Sequence, residues 1–226
     1  MEKTLKESMF EYYDERAHEY DEIYTLGKGP ASINNPQLYK EETQTLQCVV
    51  NEICRGDALD MPCGTAFWLP SYAEKCNTVV LVDQSEKMLE EAKMKAVQTG
   101  IDNRCTYRKG DILDDRWESN AYDTVLIGFF VSHLTDHQEE VFFAKLHKAL
   151  SSKGRFLILD SVWSETRAKT RAKSGQQKRR LNDGTEFDIY KKYFDMMDIN
   201  GINTKYGFKI DIHHFGKTFC AFSGRV

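Results

Sequence analysis

The sequence predicts an α/β protein built on a doubly wound, Rossmann-like sheet that is mostly parallel and carries an N-terminal helical cap. Short apolar runs alternate with amphipathic helical segments between residues 58 and 161, which is typical of parallel strands joined by crossover helices. The chain then ends in two strand-like runs, residues 208–215 and 218–222, separated only by Gly216 and Lys217. A loop that short requires antiparallel pairing, so we expect the sheet to finish with a C-terminal antiparallel hairpin.

The N-terminal segment predicts the cap. Residues 2–24 place apolar and aromatic side chains at helical spacing with charges between them, which indicates an amphipathic helical arm with a break near Ala17. Residues 27–35 have the composition of a loop. Asn35 followed by Pro36 is a favourable helix start, and we expect this helix to continue to about Ile53.

The alternating part follows in order. Residues 78–83 form a continuous apolar run, which is typical of a strand buried on both faces of a parallel sheet. Ser85 is a suitable N-cap for the helix after that strand, and Gly100 ends the helix. Similar signals predict further strands at 58–61, 104–109, 122–130 and 154–161, and helices at 67–75, 85–98 and 135–150.

Residues 162–200 interrupt the alternation between the fifth strand and the final hairpin, and we expect them to form an insertion or lid. Residues 167–180 contain seven basic residues and no acid, and we interpret them as a solvated helix face. The alternative is a lid that recruits an anionic acceptor such as a carboxylate, or RNA. Residues 180–190 have the pattern of two short strands around an Asp-Gly turn.

The composition limits the class of protein. The 226 residues, 41% hydrophobic and 29% charged, suit a single domain over 1–226 with the cap at 1–53 and the insertion within it. The net charge of −4 provides no global positive field for nucleic acid. No apolar run approaches the roughly 20 residues of a membrane span, and the charged N-terminus is unlike a signal peptide. The six scattered cysteines are predicted to be free thiols, and we expect a cytoplasmic protein.

Acidic residues follow three successive predicted strands. Asp60 ends the first strand, Asp83 ends the second, and Asp111 follows Gly110 after the third. In a doubly wound sheet these positions lie at the carboxyl edge, where ligands bind and where the second carboxylate can accept both ribose hydroxyls of a nucleotide. Asp111 is a candidate acceptor for the exocyclic amine of an adenine flanked by Ile112, and Asp60 suits a cationic group.

The turn after the first strand also carries information about the ligand. Residues 60–65 read Asp-Met-Pro-Cys-Gly-Thr, where Gly64 and free backbone N–H groups allow a ligand to approach closely. No Lys or Arg stands in this turn to meet a phosphate, and the Gly-x-Gly-x-x-Gly pattern of dinucleotide sites is absent. These features describe a nucleoside with a cationic tail and no phosphate, and S-adenosylmethionine fits that description.

Together these motifs resemble the class I S-adenosylmethionine-dependent methyltransferases of the small-molecule type. Residues 60–65 are similar to the first motif of that family, and residues 79–88 to its second, with Asp83 as the ribose-binding acid. Residues 110–112 and 122–130 are similar to the third and fourth motifs. The resemblance extends over nearly the whole chain, because the tyrosine-rich arm also resembles the N-terminal helix that covers the cofactor in many members.

The resemblance implies an enzyme that uses S-adenosyl-L-methionine as methyl donor and releases S-adenosyl-L-homocysteine. One departure is Ala66, where the family usually has a glycine; alanine tolerates helical geometry, so we expect a slightly tighter pocket floor without loss of binding. The arm tyrosines and Met88 have an alternative interpretation as core residues. The cofactor-binding residues that we predict are Tyr13, Tyr20, Asp60, Cys63, Gly64, Asp83, Gln84, Met88, Gly110, Asp111, Ile112 and Phe129.

His133 follows the fourth strand, where acceptors bind in this family, and it is the candidate catalytic base. Methyl transfer mainly requires alignment of the nucleophile and exclusion of water, and a base is needed only when the acceptor carries a proton at neutral pH. The alternative is a histidine at a helix entry that bonds only to backbone. Asp136 and His137 complete a spacing that a metal ion can use, but Asp136 also suits the helix start, and we predict no metal site.

We expect the acceptor pocket between residues 12–20, residues 129–133 and the insertion. The predicted reaction is in-line transfer of a methyl group to O, N or S of a small-molecule acceptor, without a nucleic-acid or membrane partner, by a monomer or homodimer. The alternatives are an RNA or protein methyltransferase that uses the basic segment 167–180, and a non-catalytic S-adenosylmethionine-binding module. A planar or apolar acceptor is suggested by the insertion's aromatic residues Trp163, Phe187, Tyr190, Tyr193 and Phe194.

Overall fold

The computed structural model describes residues 4–27 and 35–226, and it confirms the predicted fold class. The strands of the main sheet are β1 (Gly56–Asp60), β2 (Cys76–Asp83), β3 (Cys105–Lys109), β4 (Tyr122–Gly128), β5 (Leu150–Ser161), β8 (Lys209–Phe215) and β9 (Phe219–Arg225). Their order is β3-β2-β1-β4-β5-β9-β8. The first five strands pair in parallel, and β9 lies antiparallel between β5 and β8. The predicted terminal hairpin is therefore confirmed.

Helices flank the sheet and form the cap. The arm is broken as expected, since a 3-10 turn over Ala17–Glu19 separates its two helices. The Asn35 side chain accepts the Leu38 N–H at 3.1 Å and caps the following helix, and the predicted loop before it lies, apart from its ends, outside the described residues. The helices are α1 (Leu5–Glu15), α2 (Glu22–Thr25), α3 (Pro36–Ile53), α4 (Leu69–Tyr72), α5 (Glu86–Gln98), α6 (Asp136–Ala149), α7 (Glu165–Ala168) and α8 (Met196–Tyr206).

The helix predicted over 67–75 is shorter than expected, because α4 begins at Leu69 and passes into a 3-10 turn at Ala73. Ala66 has a φ of +52°, in the left-handed region. The expectation that it takes helical geometry is wrong: the chain keeps the turn that a glycine would favour, at a cost of about 1–2 kcal/mol for an L-residue. Its methyl group is fully buried, which offsets part of that cost.

The basic segment 167–180 is not the solvated helix face that we predicted. Only its first residues belong to α7, and most of the rest forms strand β6 (Ser174–Arg180), which pairs antiparallel with β7 (Glu186–Lys192). The predicted Asp183-Gly184 turn joins these two strands. Side chains alternate across a strand, so Arg179 is buried while its neighbours Lys178 and Arg180 are exposed.

Helix α8 was not predicted. Its sequence signal is a capping box, in which the Asp195 side chain accepts the backbone N–H of Asp198 and the Asp198 side chain accepts that of Asp195. Gly207 ends the helix with a φ of +76°. Both signals are standard helix boundaries, but the apolar spacing between them is too weak to indicate a helix by itself.

Two hydrophobic layers cover the faces of the sheet. Ala58 packs in the layer with α3, α4 and α5, and Leu59 packs in the opposite layer with α6 and α8, because successive strand residues point to opposite faces. All six cysteines are free thiols, as predicted. Among the described helices, none combines the length and hydropathy of a membrane span.

Candidate functional site

A cavity opens at the carboxyl ends of β1, β2 and β4, where Asp60, Asp83 and Gly128 end their strands. We call it the strand-end cavity. The arm closes it from above with Met9, Phe10 and tyrosine side chains. The cavity brings together most of the predicted site residues, namely Tyr13, Tyr20, Asp60, Cys63, Gly64, Asp83, Gln84, Met88, Phe129 and His133.

Asp83 is buried at the end of β2, and each oxygen of its carboxylate accepts a backbone N–H. Oδ2 accepts from Gly64 at 2.9 Å and Oδ1 accepts from Ser85 at 2.9 Å. Burial raises the pKa of Asp83 to about 6 despite these bonds. A carboxylate oxygen has two lone pairs, so each oxygen retains the capacity to accept a ligand hydroxyl.

Asp60 is also buried, and its Oδ2 accepts a hydrogen bond from the Tyr72 hydroxyl at 2.8 Å. Burial raises the pKa of Asp60 to about 8, against the opposing effect of that hydroxyl. A nearby cation favours the ionised form of such a carboxyl group. The chemistry of this position therefore matches a cationic ligand better than an anionic one.

Gly64 provides the open floor of the strand-end cavity. Its φ is +54°, a conformation that glycine adopts without steric cost. A Cβ built on Gly64 would meet only Tyr20 within 4 Å, at 3.9 Å. The backbone of this turn therefore borders open cavity space, where a ligand can lie against it.

Polar contacts tie the arm to the turns after β1 and β2. The Thr65 hydroxyl donates to Asp21 at 2.5 Å, and Lys95 pairs with the same carboxylate at 2.7 Å. The Ser85 hydroxyl donates to Asp14 at 2.7 Å. These contacts hold the tyrosines of the arm over the strand-end cavity.

The third predicted motif does not lie in the same cavity. Gly110, Asp111 and Ile112 line an adjoining one, which we call the Asp111 cavity, and the two cavities share Gln84 and His133 among their lining residues. Asp111 Oδ1 accepts the N–H of Leu113 at 2.8 Å, and Lys6 lies 3.3 Å from Oδ2. The predicted cofactor residues are thus divided between two neighbouring spaces.

A third cavity lies between the arm, the end of β4 and the insertion, in the region where we expected the acceptor. We call it the arginine cavity. Its described lining includes no Asp or Glu but five cationic side chains, one from the arm and four from the insertion. These are Arg16, Arg167, Arg171, Arg179 and Lys191.

The aromatic residues of the insertion are not gathered there. Of the five, Tyr193 lines the arginine cavity and Tyr190 lines the Asp111 cavity. Trp163 packs against Tyr193, with ring centroids 6.0 Å apart. Phe187 contacts Tyr12 and Phe194 contacts Phe222 in hydrophobic clusters. The suggestion of a planar or apolar acceptor from this group of side chains is therefore wrong about where most of them lie.

His133 lines all three cavities from a 3-10 turn that follows β4. Its Nδ1 lies 2.6 Å from the Tyr190 carbonyl, and its Nε2 lies 2.8 Å from the Tyr13 hydroxyl. Burial lowers the pKa of His133 well below its usual value, and Lys191 lowers it further. Because a carbonyl only accepts, the neutral ring carries its proton on Nδ1, and Tyr13 donates to Nε2.

The histidine spacing considered for a metal does not form a cluster. Asp136 and His137 are exposed at the start of α6, whereas His133 is buried. Across residues 4–27 and 35–226 there is no group of three or more His, Cys, Asp or Glu side chains arranged to hold a metal ion.

Two residues of the arginine cavity, Arg16 and Lys191, and the ion-pair partner of Lys191, Asp160, were not predicted as site residues from the sequence. Arg16 lies four residues after Tyr12, hence on the same face of the helical arm. Lys191 alternates with Ile189 in β7 and with Tyr193 just after it, and all three line the arginine cavity. Fully buried Asp160 lies 3.3 Å from Lys191. The period-two pattern indicates that the Lys191 side chain lies on the same face as Ile189. The sequence does not indicate that Asp160 lies beside it, because the two residues are brought together only by the fold.

The central part of the chain matches known proteins. Residues 58–154 match a family model described as a methyltransferase domain. The chain is similar to a demethylmenaquinone methyltransferase of Lactiplantibacillus plantarum, at 23% identity over 66% of this chain and 60% of that protein. It is also similar to an uncharacterised methyltransferase of Bacillus mycoides, at 24% identity over 83% of this chain and 82% of that protein. The chain spans less than two thirds of the length of the demethylmenaquinone methyltransferases, at 60% and 63% for two of them.

Solved structures share the fold. A DhpI–SAM–HEP complex superposes with a TM-score of 0.77, at 22% identity over the full length of both chains. A DhpI–SAH complex gives a TM-score of 0.75, at 24% identity over 98% of this chain and 96% of that chain. The matched methyltransferase domain and the shared fold support the predicted class I S-adenosylmethionine-dependent methyltransferase.

Proposed function

We propose that this methyltransferase transfers a methyl group to an O, N or S atom of a small-molecule acceptor. The observation that supports this most strongly is a wall shared by two cavities. Tyr13, Tyr20, Tyr24, Phe129 and His133 line both the strand-end cavity and the arginine cavity. A donor in the first and an acceptor in the second would meet at this wall, as an in-line displacement requires.

The strand-end cavity fits S-adenosyl-L-methionine as the donor. Asp83 retains acceptor capacity for two ribose hydroxyls, and Gly64 leaves space beside the backbone. Buried Asp60 favours a cationic group. We assign the adenine side to Gln84 and the adjoining Asp111 cavity, because Gln84 lines both spaces.

The chemistry requires alignment, exclusion of water and, for some acceptors, removal of a proton. When bound, S-adenosyl-L-methionine supplies a methyl carbon that accepts the electron pair of the nucleophile while its bond to sulfur breaks with the electrons left on sulfur. For a proton-bearing acceptor, the Tyr13 hydroxyl takes the acceptor proton as it passes its own to Nε2 of His133, 2.8 Å away. An ionised acceptor needs no such transfer.

The dimensions of the arginine cavity suit a small acceptor. The space between its walls is about 670 Å³, counting its open mouth, within the range of about 300–1,000 Å³ that is typical of small-molecule sites. Arg167, Arg171 and Arg179 line this interior space, and Lys173 is paired with Asp195 at 2.6 Å. Three of the segment's seven basic side chains therefore line the cavity and a fourth is ion-paired, which favours a small acceptor over RNA.

The proposal is tested by incubating the enzyme with methyl-labelled S-adenosyl-L-methionine and a panel of phenols, carboxylic acids, amines and thiols. The expected result is a mass shift of one methyl group in at least one small molecule, and this transfer should be strongly reduced in Asp83→Ala at a low concentration of donor. Turnover only with RNA or protein would contradict the proposal. Donor binding without transfer to any acceptor would indicate a non-catalytic binding module instead.

A further inference from the structure

We infer that the acceptor carries an oxyanion group, a carboxylate or a phosphate, which is bound in the arginine cavity by Arg16, Arg171 and Arg179. The inference deepens the proposed function and rests on it for the link to methyl transfer. Binding of the oxyanion can be measured separately, so the two proposals can fail independently.

The first observation is uncompensated positive charge at buried positions. Arg16 is 6% exposed and Arg179 is 9% exposed. Within the described part of the chain, none of the cavity's four arginines has a carboxylate within ion-pair distance. By contrast, Arg225, which does not line the cavity, pairs with Asp211. Burial of a charged group is costly unless an opposite charge compensates it, so this cavity is suited to an anion.

The second observation is that the arginines are held in place by neutral groups. Arg16 lies over the ring of Tyr20, 4.8 Å from its centroid. Arg179 donates to the Gln177 side-chain oxygen at 3.0 Å, and Arg171 donates to the Tyr193 hydroxyl at 3.0 Å. These contacts orient the guanidinium groups but leave their charge unbalanced. Planar guanidinium groups with donors still available bind carboxylates and phosphates in a bidentate manner.

Lys191 differs from the arginines, because it has an internal counter-charge. Its ammonium group lies 3.3 Å from Asp160 and also contacts the Ser132 hydroxyl. The surplus charge therefore belongs to the arginines. The positive charge of the cavity also affects Tyr193. Burial raises the pKa of its phenol, but Arg179, Lys191 and Arg171 together lower that pKa below its usual value.

The position of the charge indicates how an acceptor would lie. Arg16 belongs to the arm, whereas Arg171 and Arg179 belong to the insertion, so one oxyanion would bridge the two segments. The same cavity ends at the wall of Tyr13, Phe129 and His133 that borders the strand-end cavity. A small molecule with its oxyanion on the arginines would direct its nucleophile to this wall.

The binding test uses acetate and inorganic phosphate, titrated separately by calorimetry into protein saturated with S-adenosyl-L-homocysteine. We expect saturable binding of at least one anion, weakened roughly 10-fold or more in Arg179→Gln because a charge-assisted contact is lost. The matched control is Arg180→Gln, which removes the same charge from the exposed face of β6, one residue away, and should change the affinity less than about twofold. Arg171→Gln provides a second variant if Arg179→Gln does not fold.

The two anions distinguish a carboxylate from a phosphate as the bound group. The inference is overturned if neither anion binds the wild-type protein saturably, or if Arg179→Gln and Arg171→Gln both bind the anions as the Arg180→Gln control does.

The transfer test uses pairs of acceptors that differ only in charge, each acid beside its neutral amide. The inference is supported if the acids become labelled. In Arg179→Gln, the KM for the acid should then rise roughly 10-fold or more, and the KM for the donor should stay unchanged. Equal transfer to the neutral amides overturns it while leaving the proposed function intact. If the anions bind at Arg179 but no small molecule is methylated, the oxyanion site stands and the proposed function fails.

Discussion

The strand-end cavity and the arginine cavity share a wall but are built in different ways. The first is formed mainly by strand ends and the turns after them, with carboxylates at Asp60 and Asp83. The second is formed by the arm and the insertion, and its charged lining is basic. The regular sheet thus supplies acidic strand ends, which suit the cationic nucleoside proposed as donor, whereas the arm and the insertion supply the basic side chains opposite them.

The largest expected effect comes from removing the carboxylate at the end of β2. Asp83→Ala should weaken binding of S-adenosyl-L-methionine by roughly 100-fold, because hydrogen bonds to a charged group contribute about 1.5–3 kcal/mol each. Calorimetric titration measures this change. Asp57→Ala is the control: it removes a carboxylate near the opposite end of β1, where Asp57 accepts the Thr78 hydroxyl at 2.7 Å. Equal affinity in the two variants would contradict the assignment of Asp83.

The shared wall can be tested through His133. His133→Asn should lower kcat by roughly 100-fold for a phenol or alcohol acceptor, since general-base catalysis typically contributes 10²–10⁴-fold, and by less than about threefold for an ionised carboxylate. Single-turnover rates with both acceptor types measure the difference. His137→Asn changes an exposed histidine at the start of α6 and serves as the control. A loss of the same size for both acceptors would show that His133 positions the wall without accepting a proton.

A smaller effect is expected at the floor of the strand-end cavity. Gly64→Ala adds a methyl group beside open cavity space at a φ of +54°, and we expect an approximately 10-fold loss of donor affinity. Gly100→Ala is the matched control, with a φ of +73° and nothing within 4 Å of the added Cβ. Both variants should lose about 1–2 kcal/mol of stability from the left-handed conformation. An equal affinity for the donor in the two variants would refute a ligand against Gly64.

The smallest expected effect is a pH-dependent change in stability at Asp60. Burial raises the pKa of Asp60 to about 8, whereas an unfolded Asp titrates near pH 4. Between these values the folded state binds more protons, so this group's contribution to stability falls as the pH rises from about 4 to 8. Asp60→Asn removes that dependence.

Urea unfolding without ligand measures the free energy of unfolding of both proteins. The difference between Asp60→Asn and the wild type should shift in favour of the variant by more than about 1 kcal/mol from pH 5 to pH 8.5, because one pKa unit corresponds to about that free energy. A difference between the two proteins that is independent of pH would show that Asp60 does not titrate in this range.

The sequence predicted the sheet, its terminal hairpin and most of the strand-end cavity, because apolar periodicity and strand-end acids are local features. It did not predict α8, whose capping box encloses a weakly amphipathic segment, or the left-handed turn at Ala66. The basic segment 167–180 was visible, but Arg16 joins Arg179 only through packing of the arm on the insertion. Such long-range contacts leave no periodic pattern in the sequence. The sequence therefore predicted where the acceptor pocket lies but not which side chains line it.

The most direct test of this account is a kinetic comparison of Asp83→Ala and Arg179→Gln with labelled donor and an acidic acceptor. Separate sites predict that Asp83→Ala raises KM for S-adenosyl-L-methionine by roughly 100-fold and changes KM for the acceptor by less than about threefold. Arg179→Gln should raise KM for the acceptor by roughly 10-fold or more without affecting KM for the donor. If both variants raise the KM of the same substrate, the donor and acceptor do not occupy the two cavities as proposed.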